Sequence, residues 1–263
     1  MSGHLRFERA AHDARVGLLT LSNPGKHNAI SVAMWRELRE IAAGLDAMTP
    51  TLHAVIVRGE AHEFAAGADI EEFPDFRFDR DRLRAYHEGQ VAPALQALRA
   101  TDVPLIAQIE GACVGGGLEI AACCDLRIAQ HGARFGVPIA KLGFPMAPAE
   151  LAVVLAVAGR DGAAEFLLEA RLIDAPTALQ RGLVQRVVAD TAAEALATAG
   201  RIAALPASVA RANKRSLRQL LAGGPSAAEL EAHFGYANSA VHREGIAAFN
   251  ERRPPNFETE DPS

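Results

Sequence analysis

Lysine is scarce in this chain. Lys26, Lys141 and Lys214 are the three lysines among 27 basic residues, and the others are arginine. The net charge is −5, so no electrostatic footprint for nucleic acid covers the whole molecule, and nucleic acid is not expected as a partner. Cysteine is limited to Cys113, Cys123 and Cys124, an odd number in an apolar stretch. That excludes a disulfide framework, and no Cys/His pair has zinc-site spacing, so buried, reduced thiols and no metal are expected. Aromatics are only 5 % of residues, so the core must be built from small aliphatic side chains. No apolar run approaches the ~18 residues of a membrane helix without a charge or breaker. The start, MSGHLRFERAAHDARVG, lacks the apolar segment of a secretory leader, so a cytoplasmic location is expected.

What is present suits a globular protein. The chain has 263 residues, 49 % hydrophobic and 22 % charged, enough to bury a large core without metal or disulfides. His4–Glu8 and Val16–Leu21 read as a β-hairpin, followed by an Asn23-Pro24-Gly25 turn. Ser31 is placed to cap a helix whose Met34, Trp35, Leu38, Ile41, Ala42 and Leu45 recur at helical spacing. Ala54–Val57, Pro104–Ile109, Asp125–Ala129 and Leu183–Val188 read as strands. Residues 79–100, 148–168 and a stretch from Asp174 to Gly182 read as helices between them. After residue 190 the strands stop, and helices near 191–205, 207–222 and 226–250 follow. The expected organisation is an α/β core over 1–190 and a helical C-terminal region over 191–263.

Two segments of small residues stand out, Phe64–Ile70 (FAAGADI) and Gly111–Glu119 (GACVGGGLE). Small residues let backbone N–H groups approach a ligand closely. A helix starting at the glycine triplet would aim its free amides and positive dipole end at that ligand. Two such segments facing one another would form an oxyanion hole, whereas either alone is more often a tight turn than a site. The triplet is no dinucleotide fingerprint, because the G-x-G-x-x-G spacing is absent, and no phosphate-loop lysine follows it.

These stretches, together with Asn23–Ile30 (NPGKHNAI), Val103–Arg127 (VPLIAQIEGACVGGGLEIAACCDLR), Arg134–Pro138 (RFGVP), Ala170–Val188 and Gly245–Phe257 (GIAAFNERRPPNF), resemble the enoyl-CoA hydratase/isomerase, or crotonase, family. The resemblance covers most of the chain in order. It implies a crotonase-like spiral of β-β-α repeats with a helical C-terminal trimerisation region, and a homotrimer or homohexamer. It also implies an acyl-CoA thioester as substrate; coenzyme A enters as part of that substrate and no separate cofactor is expected. By motif position, the backbone amides of Ala68 and Gly116 would form the oxyanion hole. Ala66 would meet the adenine, Lys26 and His27 would lie near the coenzyme A, and Asp69 and Ile70 would continue the loop beside it. Arg252 and Arg253 would reach a phosphate.

Glu119 falls on the first catalytic glutamate of the family. Its position makes independent sense: three residues after Gly116, in the first helical turn, its carboxylate leans back towards the glycines. Leu118, Ile120, Ala121 and Ala122 surround it with apolar side chains, so its pKa should rise. The second glutamate of two-carboxylate hydratases is replaced by Ile139. Glu110 occupies a place where the family often has asparagine.

Hydration of a 2-enoyl-CoA through a thioester enolate is therefore the leading expectation. Isomerisation or decarboxylation in the same oxyanion hole accommodates Ile139 more easily. A weakly catalytic CoA- or RNA-binding protein is the third reading, resting on Arg211, Lys214, Arg215 and Arg218 along one helical stretch, a pattern that is usually a solvated face.

Overall fold

The computed structural model describes residues 3–48 and 51–257. Among the described residues, nine strands form two sheets: β1 (His4–Ala10), β2 (Asp13–Ser22), β3 (Ala54–Gly59), β4 (Leu105–Ile109), β5 (Ala112–Val114), β6 (Leu126–Gln130), β7 (Arg134–Gly136), β8 (Ile173–Asp174) and β9 (Arg186–Val188). The large sheet has the order β1-β2-β3-β4-β6-β9. Its first pair is antiparallel and the rest run parallel, with Leu19 opposite Val57, Val57 opposite Ala107 and Ala107 opposite Arg127. The inner strands read as continuous apolar runs because both faces are covered, as parallel sheets require. The edge strand β1 instead alternates between exposed and half-buried positions.

The helices are α1 (Val32–Gly44), α2 (Phe73–Phe76), α3 (Arg80–Tyr86), α4 (Ala92–Ala100), α5 (Gly116–Ala122), α6 (Pro148–Leu168), α7 (Ala175–Gln180), α8 (Thr191–Ala203), α9 (Ala207–Leu221), α10 (Ala227–His233) and α11 (Ala240–Glu251). The fold is the crotonase-like α/β spiral. Each turn contributes a strand to the large sheet, a short extended segment to a second wall, and then a helix. The second wall is built from the Ile30–Ala68 and Ala65–Cys113 bridges and from β5 paired with β7. The main core fills the space between this wall, the sheet and the helices. It is anchored by Trp35, Phe64, Phe135 and Phe166, each at most 1 % exposed. Burial of side chains of this size stabilises by roughly 1.5–3 kcal/mol each. On the opposite face of the sheet, Ala195, Ala199 and Ala203 of α8 pack against Ala54, Ile56, Ile106 and Ile128. The first C-terminal helix is thus a layer of the same sheet.

Local chemistry explains where the elements stop. Ser31 caps α1, its hydroxyl accepting from the Met34 amide at 3.2 Å. The helical pattern of 79–100 is interrupted by one π turn at His87–Val91. Pro93 lacks the N–H that would bond the carbonyl four residues earlier, and the Ala92 amide reaches back to His87 instead. Helix α6 breaks at Gly159, where φ is 67° and ψ 174°. The expected helix over 226–250 is two helices, since Ser239 caps a new one at α11. The strand expected from Leu183 begins only at Arg186, because the Leu183 and Val184 amides turn back onto the Ala178 carbonyl. No helix among the described residues is long and apolar enough to cross a membrane.

Candidate active site

The loops after β3 and β4 leave the same end of two adjacent parallel strands. They are stitched together: the Ala65 amide donates to Ala112 O at 2.8 Å, and the Val114 amide donates to Ala65 O at 3.0 Å. Gly67, at φ 109°, faces Gly115 and Gly116 so closely that a Cβ on it would lie 3.3 Å from the Val114 carbonyl oxygen. A Cβ on Gly116 would lie 3.0 Å from the Trp35 ring and 3.8 Å from the Ala68 nitrogen. The neighbouring amides are used by the framework, Asp69 N–H to Ile30 O and Gly115 N–H to Gly136 O, both at 2.9 Å. Among the loop and cap hydrogen bonds of the described residues, none is donated by the amide of Ala68 or Gly116.

These amides border a cavity of about 300 Å³. Its floor is Trp35 and Tyr86, joined by a 3.2 Å hydrogen bond from the indole to the phenol oxygen. Phe73, Phe144, Met146 and Ile139 supply apolar wall, and Ile70 stands exposed at the rim. The Arg77 guanidinium lies over two aromatic rings, 3.5 Å from the Phe144 centroid and 4.4 Å from that of Phe73.

Glu119 reaches the cavity from the first turn of α5 and is 6 % exposed. Burial, reinforced by the negative charge of Glu150, pushes its carboxyl well above the usual range. Glu150 reaches the same cavity from the first turn of α6, 5 % exposed, with Oε1 2.5 Å from His87 Nδ1. The π turn ahead of Pro93 places that imidazole. Sequence reasoning missed Glu150, His87, Arg77 and Tyr86. Tyr86 was visible only as part of an apolar helix face and Glu150 only as one residue of a helix.

The other expected residues are distributed around the first loop. Ala66 is exposed beside His27, its amide donating to the His27 carbonyl at 3.0 Å. His27 is itself exposed, 3.4 Å from Glu63. Lys26 Nζ lies 2.7 Å from Asp69 and 2.8 Å from Glu71, and these hydrogen bonds raise its pKa. Asp69 is buried, and its other oxygen accepts from the Glu71 amide, so its carboxylate ties the loop together. Glu110 does not line the cavity. It is held by the Thr191 hydroxyl at 2.5 Å and His62 at 2.7 Å, a structural role in joining α8 to the loop after β4. Arg253 pairs with Glu244 and Glu251, and Arg252 ends α11 in a left-handed conformation.

The basic stretch of α9 is used internally. Arg211 donates to the Leu52 carbonyl, Lys214 bridges the Val103 carbonyl and Asp125, and Arg215 and Arg218 both hold Asp102. Those groups dock α9 rather than forming a free cationic face. The three cysteines are free and buried, and burial pushes the Cys124 thiol up to about 12.

Known proteins are similar to this chain over nearly its whole length. The chain is 36 % identical over 251 residues to a probable enoyl-CoA hydratase, echA8, of Mycobacterium tuberculosis, covering 93 % of this chain and 95 % of that one. Its structure matches that of an enoyl-CoA hydratase/carnithine racemase from Magnetospirillum magneticum with a TM-score of 0.90 and 41 % identity, covering 97 % and 96 % of the two chains. It also matches a putative enoyl-CoA hydratase/isomerase family protein from Hyphomonas neptunium with a TM-score of 0.87 and 37 % identity, covering 96 % and 97 %. The sequence model of the enoyl-CoA hydratase/isomerase family aligns with residues 11–260. Spiral, paired loops and sequence all lead to one assignment: the chain belongs to the enoyl-CoA hydratase/isomerase family.

Proposed function

We propose that this protein hydrates a 2-enoyl-CoA thioester. The observation that carries the reading is the convergence of the Ala68 and Gly116 amides and the buried Glu119 carboxyl on one apolar cavity. The thioester oxygen is held by the two amides, which stabilise the negative charge that develops as water adds at Cβ. Removal of one such donor costs about 100- to 1000-fold in comparable sites. Glu119, protonated in its apolar surroundings, moves a proton at Cα. The coenzyme A portion leaves the cavity past Ala66, with Lys26, His27, Asp69 and Ile70 along its route. The exposed apolar side chains of the last helices, including Leu217, Leu221, Phe234 and Phe249, are covered by further copies of the chain in a homotrimer or a pair of trimers. Light scattering measures that assembly state directly.

The test is hydration of crotonyl-CoA, followed as loss of the conjugated thioester absorbance. Wild type should hydrate, and Glu119→Gln should lose about 100- to 10,000-fold in rate with thioester affinity retained. A wild type that binds the thioester without hydrating it refutes the reading. Ile139 in the cavity wall favours isomerisation or decarboxylation as the second reading, and migration of the double bond in a 3-enoyl-CoA would identify the isomerase.

A further inference from the structure

We propose that Glu150 is the second acid–base carboxylate of this site, presented by α6 from a position unrelated to Ile139 and oriented by His87 and Arg77. The inference rests on the hydratase reading above. Water addition needs one group to take a proton from the water and another to deliver one to Cα. Ile139 can do neither. Glu150 and Glu119 are both nearly fully buried, both line the same cavity, and approach it from the first turns of two different helices. Their charges interact directly, since Glu150 contributes to the upward shift of Glu119.

The hydrogen bonds give the two carboxyl groups different roles. Arg77 Nη1 lies 3.4 Å from His87 Nε2, a long contact. A guanidinium only donates, so Nε2 is the acceptor and the imidazole proton sits on Nδ1. That proton is donated to Glu150 Oε1 across 2.5 Å. Glu150 Oε1 is therefore a hydrogen-bond acceptor, the role a proton-accepting carboxylate fills. Among the described residues, none donates a hydrogen bond to the Glu119 carboxyl. Two carboxyl groups in different surroundings, one bonded to an imidazole and one not, are the arrangement that separates acid from base in other enzymes. The other ionisable groups around the pair are Tyr86, whose phenol is driven upward by burial and by both glutamates, and Lys141 on the facing wall.

The step balances. Glu150 accepts a proton from water as the water oxygen bonds to Cβ. The C=C π electrons move to Cα and the thioester oxygen, and Glu119 gives its proton to Cα as the carbonyl re-forms. The product gains one water. The enzyme is left with a protonated Glu150 and an ionised Glu119, and proton exchange with solvent restores the starting state.

The experiment combines crotonyl-CoA hydration with exchange of the Cα protons of saturated butyryl-CoA in D₂O, read by NMR. The proposal expects Glu119→Gln to lose both. It expects Glu150→Gln, which keeps an acceptor for His87, to lose about 100-fold or more in hydration while retaining Cα exchange within about threefold. Hydration by Glu150→Gln within about threefold of wild type overturns the proposal, as does parallel loss of both reactions in a folded variant. Should Glu150→Gln fail to fold, His87→Ala substitutes for it. Its hydration pH profile should shift relative to wild type, and an unchanged profile overturns the proposal. Wild type that exchanges Cα protons but adds no water overturns the hydratase reading and this assignment together. Wild type that hydrates with Glu150 dispensable overturns this assignment alone.

Discussion

Gly117→Ala tests whether the two loops are as rigidly joined as their hydrogen bonds indicate. A Cβ at this position would stand 2.4 Å from the Ala65 carbonyl oxygen and 2.9 Å from its Cβ, where real contacts begin near 3.0 Å. Ala65 cannot retreat freely, because its amide and carbonyl are both bonded to the segment that leads into Gly117. The loops must part by about 0.6 Å, the gap between 2.4 and 3.0 Å. Overpacking of this kind costs roughly 1–3 kcal/mol, and a broken backbone hydrogen bond about 1 more. The total of about 2–4 kcal/mol lowers the melting temperature by on the order of 10 °C in a chain this long. The same separation moves the Ala68 and Gly116 amides apart. Misplacement by ~1 Å costs about 100-fold in rate, so a 10- to 100-fold fall in kcat/KM for crotonyl-CoA is expected. Differential scanning fluorimetry and the absorbance assay read the two effects on one preparation. Melting within about 1 °C of wild type and a rate within about twofold would refute the rigid-clamp argument.

Glu119 also gives a pH signature in stability. Its native pKa is raised by burial and by Glu150, so between the unfolded value near ~4.3 and that raised value the native state binds more protons and stability falls as pH rises. Urea midpoints of Glu119→Gln should therefore gain on wild type from pH about 5 to about 8, and parallel curves would contradict the buried neutral carboxyl. Asp102→Ala removes the anchor of Arg215 and Arg218 and should cost about 1 kcal/mol in urea unfolding, a modest value because both guanidinium groups are partly exposed. Burial alone would raise the Asp102 carboxyl, but its two arginine hydrogen bonds hold it below the ordinary range, so this contribution should fade on acidification. Ser31→Ala should destabilise by about 1 kcal/mol through loss of the α1 cap, and an unchanged denaturation midpoint would show that the Met34 amide finds another partner.

The spiral was legible because its punctuation is local. Ser31 announces α1, Pro148 starts α6, and the apolar run of β3 marks a strand covered on both faces. The burial of Glu119 beside the glycines was legible for the same reason, since its distance from Gly116 and its apolar neighbours are written in one short stretch. Glu150 was not. An acidic residue in a first helical turn is ordinary chemistry for any helix, and only the packing of α6 beside α5 turns it towards the cavity. His87 was hidden by a backbone effect, the π turn ahead of Pro93, which displaces the imidazole from where a regular helix would hold it. The basic residues of α9 show the reverse problem. Their spacing suits an exposed cationic stripe, but Asp102, Asp125 and the carbonyls they grip lie far back along the chain, about 90 residues or more away.

The loops bearing the Ala68 and Gly116 amides spring from β3 and β4, neighbours in one parallel sheet. Strand spacing in a sheet is nearly constant, about 4.8 Å, and is set by backbone hydrogen bonds rather than by side chains. The sheet therefore acts as a ruler for the amide pair. The cavity walls come from other material: α2, the π turn, and the 3₁₀ and loop segment from Ile139 to Ala147. Those parts can change in sequence, length or shape without altering the ruler. A chain built this way can reshape its cavity, and even change which side chains reach into it, while the spacing of the amide pair stays the same.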